Sequence, residues 1–186
     1  MIINVNKPSG WTSFDVVKKI RGIVNEKKVG HAGTLDPFAT GVLILGTGSD
    51  TKKLSNIASS NKTYIADLTL GIETDTLDCD GNIVSKNKTP ELSQKFVQDV
   101  LSKFKGVNKQ IPPMYSAKKV NGIRLYKLAR QNKTVERDPV DINILDIQLI
   151  KFKSSIITFK VKCSKGTYVR VLGVDIAKKL GTVGHL

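Results

Sequence analysis

The longest regular pattern in the chain lies in its last third, where Val140 to Phe152 and Ile156 to Cys163 alternate apolar with polar residues on either side of Lys153-Ser154-Ser155. Alternation with a period of two places every second side chain on one face of an extended strand. Two such runs across a short polar turn predict a long antiparallel hairpin. That hairpin commits the fold to an antiparallel sheet.

Helical spacing appears in three other places. Thr12 with Asp15 three residues on reads as a capping box, and Val16, Val17, Ile20, Ile23 and Val24 follow at helical intervals, predicting a helix from Ser13 to Asn25. Leu92, Phe96, Val97, Val100, Leu101 and Phe104 share a face of an amphipathic helix over Glu91 to Lys105, with Thr89 or Pro90 near its start. A third helix, Val171 to Lys179, stops at Gly181, the residue type that ends helices in the left-handed conformation.

Shorter elements fill the intervals. Ile2 to Asn6 predicts a strand closed by Lys7-Pro8-Ser9-Gly10, and Val42 to Leu45 a short buried strand. Asp50 can cap a helix through Leu54 and Ile57, broken at Ser59-Ser60-Asn61. Lys62 to Gly71 alternates as a strand, Asn121-Gly122 is a hairpin turn signal, and Leu125 to Arg130 reads as a short helix. No repeat, low-complexity tract or linker interrupts the sequence, so residues 1–186 read as one domain.

Composition narrows the partners. The charged fraction of 25% and hydrophobic fraction of 40% are those of a globular chain, but a formal charge of +14 favours a polyanion, with RNA or DNA ahead of an acidic membrane surface. Cys79 and Cys163 lack metal-ligand spacing, and with only His31 and His185 beside them no zinc site is expected. Reduced thiols, no signal peptide and no membrane span lead to the expectation of a cytoplasmic protein.

One stretch carries the chemistry: Gly30-His31-Ala32-Gly33-Thr34-Leu35-Asp36-Pro37-Phe38-Ala39-Thr40-Gly41-Val42-Leu43. Flexible glycines precede Asp36, and Pro37 steers it away from helical geometry, which fixes a carboxylate at the lip of a strand. An isolated Asp-Pro reads simply as a turn. The whole string, however, resembles the catalytic motif of the TruB type of tRNA pseudouridine synthase, whose Asp is the nucleophile.

Further blocks similar to that family follow in order. An opening Lys7-Pro8-Ser9-Gly10-Trp11-Thr12-Ser13 comes first, then Lys62-Thr63-Tyr64 leading to Gly71, then Thr74-Asp75-Thr76-Leu77-Asp78-Cys79-Asp80-Gly81. Gln110-Ile111-Pro112-Pro113-Met114-Tyr115-Ser116-Ala117 and Cys163-Ser164-Lys165-Gly166-Thr167-Tyr168-Val169-Arg170 complete the set. The acidic block lacks the glycine and terminal glutamate of a calcium loop, and the family implies that its acids order a loop near the active site.

The resemblance implies a mixed α/β (α+β) pseudouridine synthase catalytic fold, with a large, mainly antiparallel sheet flanked by helices. It implies isomerisation of uridine to pseudouridine in the T loop of tRNA, at position 55, with no cofactor and no metal. Asp36 is then the catalytic carboxylate and Arg170 the cation that keeps it ionised and aimed. Tyr64 stacks on the flipped base, His31 helps hold the everted loop, Tyr168 lines the pocket and Lys7 contacts phosphate. Read alone, Tyr64 suits a half-buried strand position, Arg170 a surface charge and His31 a loop hydrogen bond. Two other classes stay open, a non-catalytic RNA-binding or RNA-folding module and a glycosidic-bond hydrolase. The expected partner is the tRNA T arm, bound by a monomer. Family members continue past the Gly-x-His-Leu end with a Leu-Arg-Arg stretch and a carboxy-terminal RNA-binding region, which is absent from this sequence.

Overall fold

The structure, a computed structural model, describes residues 1–186. It gathers them into two compact units, Met1–Ser60 and Asn61–Leu186. In the sequence the join is visible only as the helix stop at Ser59-Ser60-Asn61.

The first unit contains β1 (Ile2–Lys7), α1 (Ser13–Ile23), β2 (Val29–His31), β3 (Gly41–Thr47), a 3-10 segment over Gly48–Lys53 and α2 (Leu54–Ser59). Its sheet runs in the order β1-β3-β2 with antiparallel pairs throughout. The α1 capping box forms as expected, the Thr12 hydroxyl accepting from Asp15 N while the Asp15 carboxylate accepts from Thr12 N. The helix ends at Ile23 rather than Asn25, because Asn25 takes φ 50, outside helical geometry. One face of α1 buries Val16 and Val17 against Val29, Leu43 and Leu45.

Two expectations change here. The strand through Val42 is buried on one face only: Leu43 and Leu45 point inward while Val42 is exposed. Asp50 caps no α-helix; it sits in the 3-10 segment and pairs with Lys53 at 2.8 Å.

The second unit holds β4 (Lys62–Leu70), β5 (Ile72–Thr74), β6 (Ile83–Lys86), α3 (Gln94–Ser102), β7 (Gly106–Gln110), β8 (Lys119–Val120), β9 (Ile123–Arg124), α4 (Leu125–Ala129), β10 (Val140–Lys153), β11 (Ile156–Cys163), α5 (Val169–Lys179) and β12 (Gly184–His185). Five strands form one antiparallel sheet in the order β12-β4-β11-β10-β7. The predicted hairpin is its centre, turning at Ser154 with φ 55 and carrying register shifts at Ile144/Asp146 and Leu149/Lys151. Both shifts fall where one strand carries an extra residue, which bends the strand without moving the buried positions off the core face.

Ile157, Phe159 and Val161 of β11 pack with Leu68 and Leu70 of β4, Val97 and Leu101 of α3, and Leu172 and Ile176 of α5. Each such aliphatic or aromatic side chain contributes ~1.5–3 kcal/mol by leaving water. The helix α3 is shorter than its apolar pattern, starting after Ser93, whose hydroxyl accepts from Phe96 N, and Phe96 itself lies on the exposed side. The helix α5 begins two residues before the expected Val171, so Arg170 stands in its first turn. It closes through Gly181 at φ 83, as expected. The strand β12 carries no sequence signal of its own. It docks because Gly184 approaches so closely that a Cβ there would meet Ala177 Cβ and Thr69 O at 2.9 Å each. No helix is long and apolar enough to cross a membrane.

Candidate active site

In the first unit the acid turn is held by backbone and buried side chains rather than by its own sequence. Ala39 N donates to Asp36 O at 3.1 Å, closing the turn around Pro37, and Gly10 N donates to Pro37 O at 2.9 Å. Ser13, buried in α1, is bonded both ways to Leu35: its hydroxyl donates to Leu35 O at 3.1 Å and accepts from Leu35 N at 2.9 Å. The residue before Asp36 is thus fixed to the helix start, and the residue after it to the Gly10 loop. Asp36 itself is partly exposed.

Lys7 completes the clamp. It is 0% exposed at the end of β1, and its ammonium donates to Trp11 O at 2.7 Å, Pro8 O at 2.9 Å and Pro37 O at 3.1 Å. The phosphate contact expected of Lys7 is therefore corrected: all three protons are committed to carbonyls inside the unit. Burial pulls its pKa below the usual lysine value, while the nearby Asp36 carboxylate pulls it up. Lys7→Met should leave three carbonyls without a donor, at ~1–3 kcal/mol each when nothing replaces it. A fall in Tm together with faster proteolysis in residues 7–13 and 35–39 is the expected result.

His31 lies half-buried on β2, with its Nδ1 enclosed and without a hydrogen-bond partner. Burial lowers its pKa from the ordinary value near 6.5, opposed by a bond with the Gly33 backbone. The folded state therefore disfavours the proton, so the stabilisation is complete above pH ~6.5 and is lost as pH falls through the lowered value. Urea unfolding of the wild type and of His31→Gln between pH 5 and 7.5 should show the wild type alone weakening along this limb.

The second unit presents an arginine clamp. Arg170 is only 6% exposed, and its guanidinium donates to Thr76 O at 2.6 Å and Tyr115 O at 2.9 Å while facing the Asp78 carboxylate at 3.3 Å. A surface charge is thereby ruled out for it. Asp78 carries a role that sequence reading left unassigned. Its Oδ1 accepts from Thr76 Oγ1 at 2.6 Å and Asp80 N at 3.1 Å, and Asp75 Oδ1 accepts from Asn82 N at 2.8 Å. The acids order this loop, as expected, and Gly81 folds so tightly against Thr76 that no side chain fits.

Tyr168 immediately precedes α5. Its N–H donates to Gln110 Oε1 at 2.8 Å and its carbonyl accepts from Gln110 Nε2 at 3.1 Å, so one buried amide, which sequence reading did not single out, sets where the helix begins. Only its place before Pro112-Pro113 marked it. Tyr64 lies on β4 opposite Val161, half-buried with its ring against the core. Within each unit, then, Lys7 is brought to the Asp36-Pro37 turn, and Tyr168 and Arg170 flank the start of α5. No group of three or more His, Cys, Asp or Glu is placed to hold a metal ion.

A family model described as TruB family pseudouridylate synthase (N terminal domain) matches residues 21–169. Among curated relatives named tRNA pseudouridine synthase B, that of Francisella philomiragia is 48% identical over 186 residues, covering 100% of this chain and 62% of the relative. Those of Hydrogenovibrio crunogenus and Lactococcus lactis are 49% and 47% identical, with 61% and 59% of the relative covered. The chain thus spans about three-fifths of the length of the curated relatives it matches. Among solved structures, one described as a Cbf5-Nop10-Gar1 complex superposes with TM-score 0.76 at 27% identity, over 99% of this chain and 45% of that one. An H/ACA RNP bound to a substrate RNA containing 2′-deoxyuridine, 24% identical with TM-score 0.70 over 99% of this chain and 44% of that one, shares the fold. The expected fold, mixed α/β around an antiparallel sheet, is the one found. This chain belongs to the TruB family of pseudouridylate synthases.

Proposed function

We propose that the chain isomerises uridine to pseudouridine in the T arm of tRNA, acting as a monomer in the cytoplasm. The observation that carries this reading is the acid turn: Asp36 sits on a segment immobilised by Lys7 and Ser13 yet stays partly exposed. A rigid, accessible carboxylate is what the reaction needs.

The bond between the ribose C1′ and uracil N1 breaks, the base turns, and C5 bonds to C1′; the proton on C5 leaves and N1 takes one up. Substrate and product are isomers, so no redox partner is needed. Asp36 either attacks C1′ or draws off a neighbouring proton to start the cleavage. An Asp in a dry pocket resists ionisation, and in this reading Arg170 offsets that by standing as its charge partner. The target base must leave the loop stack, and Tyr64 offers it a face worth ~1–3 kcal/mol. His31, neutral at pH 7, supports the everted loop by hydrogen bonding. Tyr168 lines the pocket.

The test uses a T-arm hairpin RNA carrying tritium at C5 of its uridines. Tritium should appear in the solvent in proportion to enzyme. A folded chain that binds the hairpin and releases none would support the binding-module reading instead.

A further inference from the structure

On the first unit, starting at Gly10 and Trp11, whose backbones belong to the carbonyl clamp, a groove of about 720 Å³ runs along α1 past Asp15, Lys18, Lys19, Gly22 and Ile23. The helix buries its other face, Val16 and Val17, so this face is open to water. Trp11 is 40% exposed at one end and Ile23 66% at the other. Lys18 and Lys19, both exposed, lie between.

Gly22 makes the groove unusual. A glycine inside a helix costs stability relative to alanine. Here no part of the protein requires it: a Cβ at Gly22 would meet nothing within 4 Å, and its φ is not positive. What the missing side chain provides is close approach to the helix backbone from outside.

We infer that this face of α1 binds a stretch of RNA backbone, with phosphates on Lys18 and Lys19, the chain passing close over Gly22, and a ribose or unstacked base against the Trp11 ring. Two lysines and an aromatic ring on one groove match a nucleic acid's alternating charge and π-surface. The lining has one acid, Asp15, and its carboxylate is turned back onto Thr12 N and Oγ1 at 2.9 and 2.6 Å. The formal charge of +14 adds long-range attraction for the same partner. This inference rests on the RNA-directed reading above and adds a second contact surface to it.

The experiment measures binding of a fluorescein-labelled T-arm hairpin by anisotropy across a salt series, with Tm recorded for each protein. Gly22→Ala should move the two readouts in opposite directions: Tm rises by roughly 1–4 °C, while affinity falls at least several-fold. Lys18→Gln with Lys19→Gln should weaken binding and make the log–log salt slope shallower by about 2. Trp11→Ala should cost roughly 5- to 100-fold, with part restored by Trp11→Phe. Gly22→Ala and the double lysine variant binding with wild-type affinity and slope would overturn the inference and leave the catalytic reading intact. Failure of the wild type itself to bind the hairpin would overturn both.

Discussion

Asp78→Asn is expected to lower Tm by roughly 6–20 °C. The substitution leaves the Arg170 guanidinium, 6% exposed, facing a neutral amide at the position where a carboxylate stands 3.3 Å away. Removing one carboxylate from a buried ion pair costs up to ~3–5 kcal/mol, because the guanidinium that stays buried loses compensation that water does not restore. For a chain of 186 residues that converts at about 2–4 °C per kcal/mol. The loss has a second source, since Asp78 Oδ1 also receives Thr76 Oγ1 and Asp80 N, and Thr76 O in turn receives Arg170. Loop and helix start are thus one network. A double-mutant cycle with Arg170→Gln should show strong coupling, the pair of changes costing less than the sum of the two. Thermal unfolding of the four proteins measures it, and additivity within about 0.5 kcal/mol would show that the clamp does not act as a unit.

Asp36→Asn is expected to reduce the rate of tritium release by roughly 10⁴-fold or more, as loss of an essential catalytic group does, while hairpin affinity stays within about threefold. The change replaces one carboxylate oxygen by an amide and leaves in place the bonds that hold the turn, Ala39 N to Asp36 O and Lys7 Nζ to Pro37 O. Asp36→Glu keeps the charge but pushes it outward by one methylene, and a displacement of ~1 Å from a reactive geometry costs about 10²-fold. Ordering wild type, Glu and Asn in that sequence would separate the need for charge from the need for position. Single-turnover rates are the readout, because product release then drops out.

The features that were legible in the sequence are those with local causes. The hairpin from Val140 to Cys163 announced itself because alternation and a polar turn are properties of neighbouring residues, and the same holds for the Thr12–Asp15 capping box and the glycine stop at Gly181. Asp36 was legible as a motif. Lys7 was not: placing its ammonium on Pro37 O joins residues 30 apart, and nothing near Lys7 in the chain says that it points inward. Arg170 stands one residue ahead of the helix that the sequence predicts over Val171 to Lys179. It belongs to a helix because Gln110, 58 residues away, holds Tyr168 on both its N–H and C=O. Asp78 stayed hidden among three neighbouring acids until the partner 92 positions onward in sequence was located in space. The start of α3 was misplaced for the opposite reason: its apolar pattern extends beyond the helix, and the Ser93 cap decides where it opens.

Nucleoside chromatography tests most directly whether an accessible carboxylate on a fixed turn carries out the isomerisation. A T-arm hairpin incubated with the 186-residue chain and then digested to nucleosides should yield pseudouridine, one mole for each mole of tritium released, with no free uracil. Free uracil would mean that water captures the cleaved sugar, and unchanged uridine from RNA that the chain demonstrably binds would mean that the acid turn does no chemistry; either result contradicts the account.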